Sequence, residues 1–92
     1  MITSFVCKDT ERLFAGKGAA RWVSIRAVAE RKLQMVNRAT RLGDLRIPPN
    51  NRLEALKRDR KGQHSIRIND QWRVCFRFEG GNAFDVEIVD CH

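Results

Sequence analysis

Residues 65–90 read SIRINDQWRVCFRFEGGNAFDVEIVD. Trp72, Val74, Phe76 and Phe78 occur at every second position, so a strand over 72–78 turns them all to one face. Gly80-Gly81-Asn82 follows as a hairpin turn. The next strand carries Phe84, Val86 and Ile88 on one face and Asp85, Glu87 and Val89 on the other. Upstream, Asn69-Asp70 separates a shorter strand over 65–68 from the pair. The stretch therefore predicts a three-stranded antiparallel meander with one apolar face that needs a cover.

The cover lies upstream. Ile25, Val28, Ala29, Leu33, Val36 and Ala39 recur at steps of three and four, which predicts a helix over 22–41, closed by Leu42-Gly43. Arg26, Arg31, Lys32 and Arg38 fall off that stripe and are expected to be solvated. A short helix capped by Asp9 or Thr10 presents Leu13 and Phe14 and stops at Gly16-Lys17-Gly18. Residues 2–8 are rich in β-formers and predict a strand, which must pair somewhere in the sheet. Residues 45–51 hold Pro48-Pro49 and Asn50-Asn51 and read as an irregular linker. Leu53 and Leu56 anchor the chain after it, and 58–62 is a polar loop. The result is one α+β domain over 1–92, with an N-terminal strand and two helices packed on a small, mainly antiparallel sheet. Trp22 and Trp72 are expected in its core.

The net charge is +7 and the sequence pI about 10.2. This balance favours a polyanionic partner through counterion release. The charge is segregated: +6 over residues 1–51, +5 over 52–77 and −4 over 78–92. The basic density peaks in the loop Arg52 to Lys61. Three cysteines, Cys7, Cys75 and Cys91, form no CxxC pair, so no structural zinc site is expected. Cys7 and Cys75 read as small buried hydrophobes of a reducing cytoplasm. No apolar run approaches the ~20 residues of a membrane span. No dinucleotide, P-loop, HExxH or GxSxG motif is present, and no cofactor or metal is implied.

What remains is Arg, Lys, His and Asp in the C-terminal half, a set suited to metal-free RNA cleavage. In that reaction the 2′-hydroxyl attacks the neighbouring phosphate. A base takes its proton, an acid protonates the leaving 5′ oxygen, and cations hold the phosphate charge. An arginine fork pairs with two phosphate oxygens at once, and histidine can serve either proton role near neutral pH.

The run HSIRINDQWRVCF, then a Gly-Gly hairpin, then VDCH, resembles the HigB branch of the RelE/ParE superfamily of type II toxin–antitoxin systems. That family shows Ser-Ile-Arg, Gln-Trp-Arg and a closing Asp-Tyr-His. The resemblance extends to the MITSF start and the NRLEALK stretch and is weaker over 8–45. It implies the RelE/ParE fold and a ribosome-dependent endoribonuclease that cleaves mRNA in the A site. It also implies a HigA-like helix-turn-helix antitoxin as partner, in a heterotetrameric complex, and contact with 16S rRNA.

By the same resemblance Arg73 binds the scissile phosphate, and its alternation with Trp72 and Val74 puts it on the open face of the sheet. A strand-face arginine in a surface salt bridge is the plain alternative. His92 acts as general acid or base, against the plain reading of a frayed end. Asp90 orients it or a neighbouring cation, or is simply a strand-end carboxylate. Lys57 neutralises phosphate charge. Arg58, Arg60 and Lys61 bind RNA backbone as a cluster, each one singly being a solvated charge. His64 opens the strand beside Arg73, for packing or base stacking. The helix 22–41 offers a surface for the antitoxin.

Two positions depart from the family pattern. Cys91 stands where tyrosine is common, and Glu54 stands where some relatives carry histidine. Both losses keep open a non-catalytic, ParE-like role on the same scaffold, as a gyrase poison or other binder.

Overall fold

The computed structural model describes residues 1–90. Two helices, α1 (Lys8–Phe14) and α2 (Arg26–Arg38), pack on one face of a four-stranded antiparallel sheet. Its order is β1 (Glu54–Ala55), β2 (His64–Arg67), β3 (Trp72–Glu79) and β4 (Asn82–Asp90). Ile66 pairs with Val74 and Val74 with Ile88, so one row of aliphatic side chains crosses three strands under the helices. Ala29, Leu33 and Val36 of α2 descend on it and are fully buried, with Leu13 of α1 beside them. Burying each side chain of leucine size contributes roughly 1.5–3 kcal/mol. Among the described residues no helix is long and apolar enough to cross a membrane.

The N-terminal strand is reduced to an extended segment. It runs parallel to the outer edge of β4 through single bridges at Ile2–Ala83 and Phe5–Val86. The Thr3 and Val6 amides donate to the Ala83 and Val86 carbonyls at 2.8 and 3.1 Å. Lys8 already belongs to α1, whose N-cap position is Cys7, so neither Asp9 nor Thr10 caps it. Thr10 is instead buried, and its hydroxyl accepts from the Ile88 amide at 3.1 Å, tying α1 to β4. Cys75 is buried, but Cys7 is only half-buried.

The helix expected over 22–41 is shorter at both ends. Residues Ala20–Ile25 form a 3-10 helix in which Trp22 leaves helical geometry (φ −123°, ψ 26°). Trp22 is fully buried, edge-on to Trp72 with ring centroids 6.1 Å apart; Trp72 itself is only half-buried. At the other end, Asp44 Oδ2 accepts from the Thr40 and Arg41 amides at 3.1 Å each. A carboxylate that takes these amides competes with the helical carbonyls, and α2 stops at Arg38.

The linker at 45–51 is structured. It contains the end of a 3-10 turn (Leu42–Arg46) and a second turn (Pro49–Asn51). Asn51 is fully buried. Its amide donates to the Leu45 and Ile47 carbonyls, and its oxygen accepts from Lys32 Nζ. Lys32 is thus no solvated residue: it is 5% exposed and crosses the core face to reach Asn51. Burial, reinforced by Arg31 and Arg67, lowers its pKa.

β4 also departs from simple alternation. Cys75 pairs with Glu87 but Arg77 pairs with Phe84, so Asp85 and Val86 together oppose Phe76. This is a β-bulge, and Asp85 holds its φ at +55°. Past the bulge the faces exchange. Ala83 points to the core with Val86 and Ile88, while Phe84 lies on the other face under the Arg77 guanidinium, 4.8 Å from its ring centroid.

Candidate nucleic-acid interface

The face of the sheet turned away from the helices is built by register. Glu54 pairs with Ser65, Ser65 with Cys75, and Cys75 with Glu87; one step along, Arg67 pairs with Arg73 and Arg73 with Val89. Directly paired residues share a face. Arg73 therefore lies opposite the helices, as alternation predicted. Its side chain is only 15% exposed and is clamped at several points. Nε donates to Ser65 Oγ at 2.8 Å, and Nη2 donates to the Arg52 carbonyl at 2.8 Å. Glu54 Oε1 lies 3.3 Å from Nη2. Ser65 is fully buried, so its hydroxyl is a fixed rest for the guanidinium. Among the described residues Nη1 has no hydrogen-bond partner, which leaves one side of the fork free for an anion.

The loop cations divide. Arg60 is drawn onto the sheet: Nη1 donates to Glu87 Oε1 at 2.8 Å and to Gln63 Oε1 at 3.0 Å. The hydrogen bond it donates to Glu87 raises the Arg60 pKa further. Lys57, Arg58 and Lys61 stay exposed. Arg58 adopts a left-handed backbone (φ 59°) in the short 3-10 turn Arg58–Arg60. The bulk of the loop's charge thus faces solvent at the end of β1, while Arg60 acts as a strut.

Asp90 pairs with Trp72, so the register sets it on the helix side, exposed, with its carboxylate accepting from Gln71 Nε2 at 3.2 Å. Asp90 and Arg73 therefore do not share a face. Cys91 and His92 lie outside the described residues. His64 lies on the strand next to that of Arg73. It opens β2, but it pairs with Phe76 and Ala55 and so belongs to the helix side, with the sheet between it and Arg73. The arrangement gathers Arg73, Ser65 and Glu54 on one face, with Lys57 beyond the end of β1. Ser65 and the Arg52 carbonyl escaped the sequence reading, and Glu54 was read as a departure and not as a partner of Arg73. The shared parity of Ser65 and Arg67 was the available signal for the first of these.

This geometry can hold an anion on a pre-set arginine beside a basic rim. Residues 4–92 match the family described as RelE-like toxin of type II toxin-antitoxin system HigB. Among curated relatives, the Proteus vulgaris protein named Endoribonuclease HigB is 35% identical over 94 aligned positions, covering 100% of both chains. The Vibrio cholerae protein named Toxin HigB-1 is 44% identical over 62 residues, which is 67% of this chain and 65% of that protein's length. An uncharacterized protein of Haemophilus influenzae is 40% identical over 56 residues, 61% of this chain and 55% of its own.

Proposed function

The chain belongs to the HigB-like family of RelE-like toxins, and from that premise we propose that it is an endoribonuclease that cuts mRNA in the ribosomal A site and so inhibits translation. The observation that carries this reading is the clamped guanidinium of Arg73, held on an open sheet face by Ser65 and the Arg52 carbonyl. A donor set in place before the substrate arrives spends no reorganisation at the moment of reaction. In the proposed step the 2′-oxygen bonds to phosphorus and the bond from phosphorus to the 5′ oxygen breaks. This leaves a 2′,3′-cyclic phosphate and a 5′-hydroxyl. Arg73 and Lys57 hold the non-bridging oxygens, His92 serves as general base or acid, and water carries the other proton; Asp90, on the other face of the sheet, stands outside this step. No metal enters the step.

The exposed cations Arg58 and Lys61 contact 16S rRNA or mRNA backbone in this scheme. The ribosome supplies the alignment of the RNA that a shallow basic surface lacks. A HigA-like helix-turn-helix antitoxin is the proposed partner, in a heterotetrameric complex within the cytoplasm.

The test is 5′-end mapping of mRNA in a reconstituted translation system, with and without ribosomes. Wild type should give ribosome-dependent breaks. Arg73→Ala should lower their rate by about 10²–10³-fold, the usual loss for one transition-state donor, and His92→Ala should abolish them. Equal cutting of naked RNA would remove the ribosome from the mechanism. One observation favours a second reading, a non-catalytic ParE-like binder: Glu54 already supplies a negative charge to Arg73. Growth arrest with no breaks in mRNA would select it.

A further inference from the structure

A second recess lies on the helix side of β1 and β2, with the sheet between it and the Arg73 guanidinium. It is a pocket of about 440 Å³, within the range of small-ligand sites. Three features of its wall describe an occupant. Arg46 and Arg52 both line it, and among the described residues neither side chain makes an ion pair or a hydrogen bond. Two unneutralised guanidinium groups around one recess call for an anion. The opposite wall is apolar, from Leu42, Pro49 and Leu53. His64 closes the floor, and its Nδ1 is buried without a hydrogen-bond partner.

The backbone supports a ligand role for Arg52. It sits in the left-handed region at φ 47°, where glycine or asparagine is at ease and a long side chain is strained. Arg52 also joins the two faces. Its side chain lines the recess, while its carbonyl accepts from Arg73 Nη2 at 2.8 Å. Between them stands only β1, an edge strand of two residues.

From this we infer that the recess is a nucleotide subsite: it takes one nucleotide of an RNA strand that crosses the β1 edge from Arg73. The phosphate lies between Arg46 and Arg52, the base stacks on Leu42, Pro49 and Leu53, and a base edge meets the His64 ring. An acidic protein side chain would neutralise the arginines but leave the apolar wall and His64 unmatched. The inference rests on the RNA-cleaving reading for its choice of polymer. It adds that the nucleotide next to the cut contributes to where the cut falls.

The test reads binding and not cleavage. Isotope-labelled protein is titrated with a 2′-O-methyl tetraribonucleotide, which cannot be cut because its nucleophile is blocked, and followed by NMR. The expected result is a shift of the His64 ring and Leu53 methyl signals at saturation. Arg46→Ala, at an exposed position without side-chain partners, should weaken binding by about tenfold or more, equal to about 1.4 kcal/mol. Parallel titrations use inorganic phosphate and a glutamate-rich peptide. The inference is overturned if the His64 signals stay still, if phosphate alone reproduces the shifts, or if the peptide fills the recess more tightly than RNA. The two readings fail separately. RNA that fills the recess without any ribosomal mRNA cleavage keeps the subsite and removes the enzyme. Cleavage with His64 unmoved does the reverse.

Discussion

Arg73 and Glu54 form an ion pair on the open face of the sheet. Glu54 is 57% exposed and its ion pair with Arg73 is solvated on one side, so the pair contributes about 1 kcal/mol or less. A phosphate competing for the same guanidinium works against that contribution. Glu54→Ala is therefore expected to tighten binding of a non-cleavable RNA by about two- to fivefold at low salt, read by fluorescence anisotropy. Weaker binding would show that the carboxylate positions Arg73 for its ligand and does not compete with it. The face of Arg73 was legible from its apolar neighbours Trp72 and Val74. Its partners were not, because Ser65 and Glu54 meet it through cross-strand register, which the turns fix and composition does not record. His64 is a different case. It shares parity with Ile66, a core residue, so strand alternation alone places it behind the sheet, while its strand lies beside that of Arg73.

At the level of elements, the structure departs from pattern where one side chain captures a backbone group. Asp85 bonds its amide to Ser4 Oγ at 2.8 Å and holds a positive φ, and this one residue reverses the facing of Phe84. A β-branched side chain tolerates that backbone poorly. Asp85→Val should lower stability by about 1–3 kcal/mol, seen as a lower urea midpoint with an unchanged slope. Asp44 acts similarly at the end of α2. Hydrogen bonds from the Arg41 and Thr40 amides hold its carboxyl below the usual value of 3.8. A group with a depressed folded pKa gives its full stability above the unfolded value. That stability is lost as pH falls through the lower folded value. Denaturation midpoints measured from neutrality down to about pH 2 should show wild type losing stability below about pH 4, and Asp44→Asn losing less over the same window. Strands, hairpin and the middle of α2 were readable because periodicity over many residues carries them. The bulge, the early end of α2 and the buried Lys32–Asn51 bond each hang on a single contact, which periodicity cannot reveal.

For the molecule as a whole, charges segregated along the sequence become mixed in space. The acidic β4 region answers the basic middle through Arg60–Glu87 and Arg77–Asp85. Among the described residues the loop cations Lys57, Arg58 and Lys61 stay unanswered, and these are expected to set the salt response of RNA binding. For single strands each phosphate contact adds about −0.7 to the slope of log K against log salt. Replacing all three by glutamine should flatten that slope by about 2. A slope that does not change would place the RNA path away from the loop. The pairing of the N-terminal segment with β4 has a further consequence, in time. Thr3 and its partner Ala83 are 80 positions apart, so the ribosome makes the first long before the second. Until β4 emerges, the opening segment has no edge to lie on, Thr10 has no Ile88 amide, and the strand bearing Arg73 lacks its outer neighbour. The chain thus delays its own activity: the Arg73 face of this toxin is assembled only once β4 has been made.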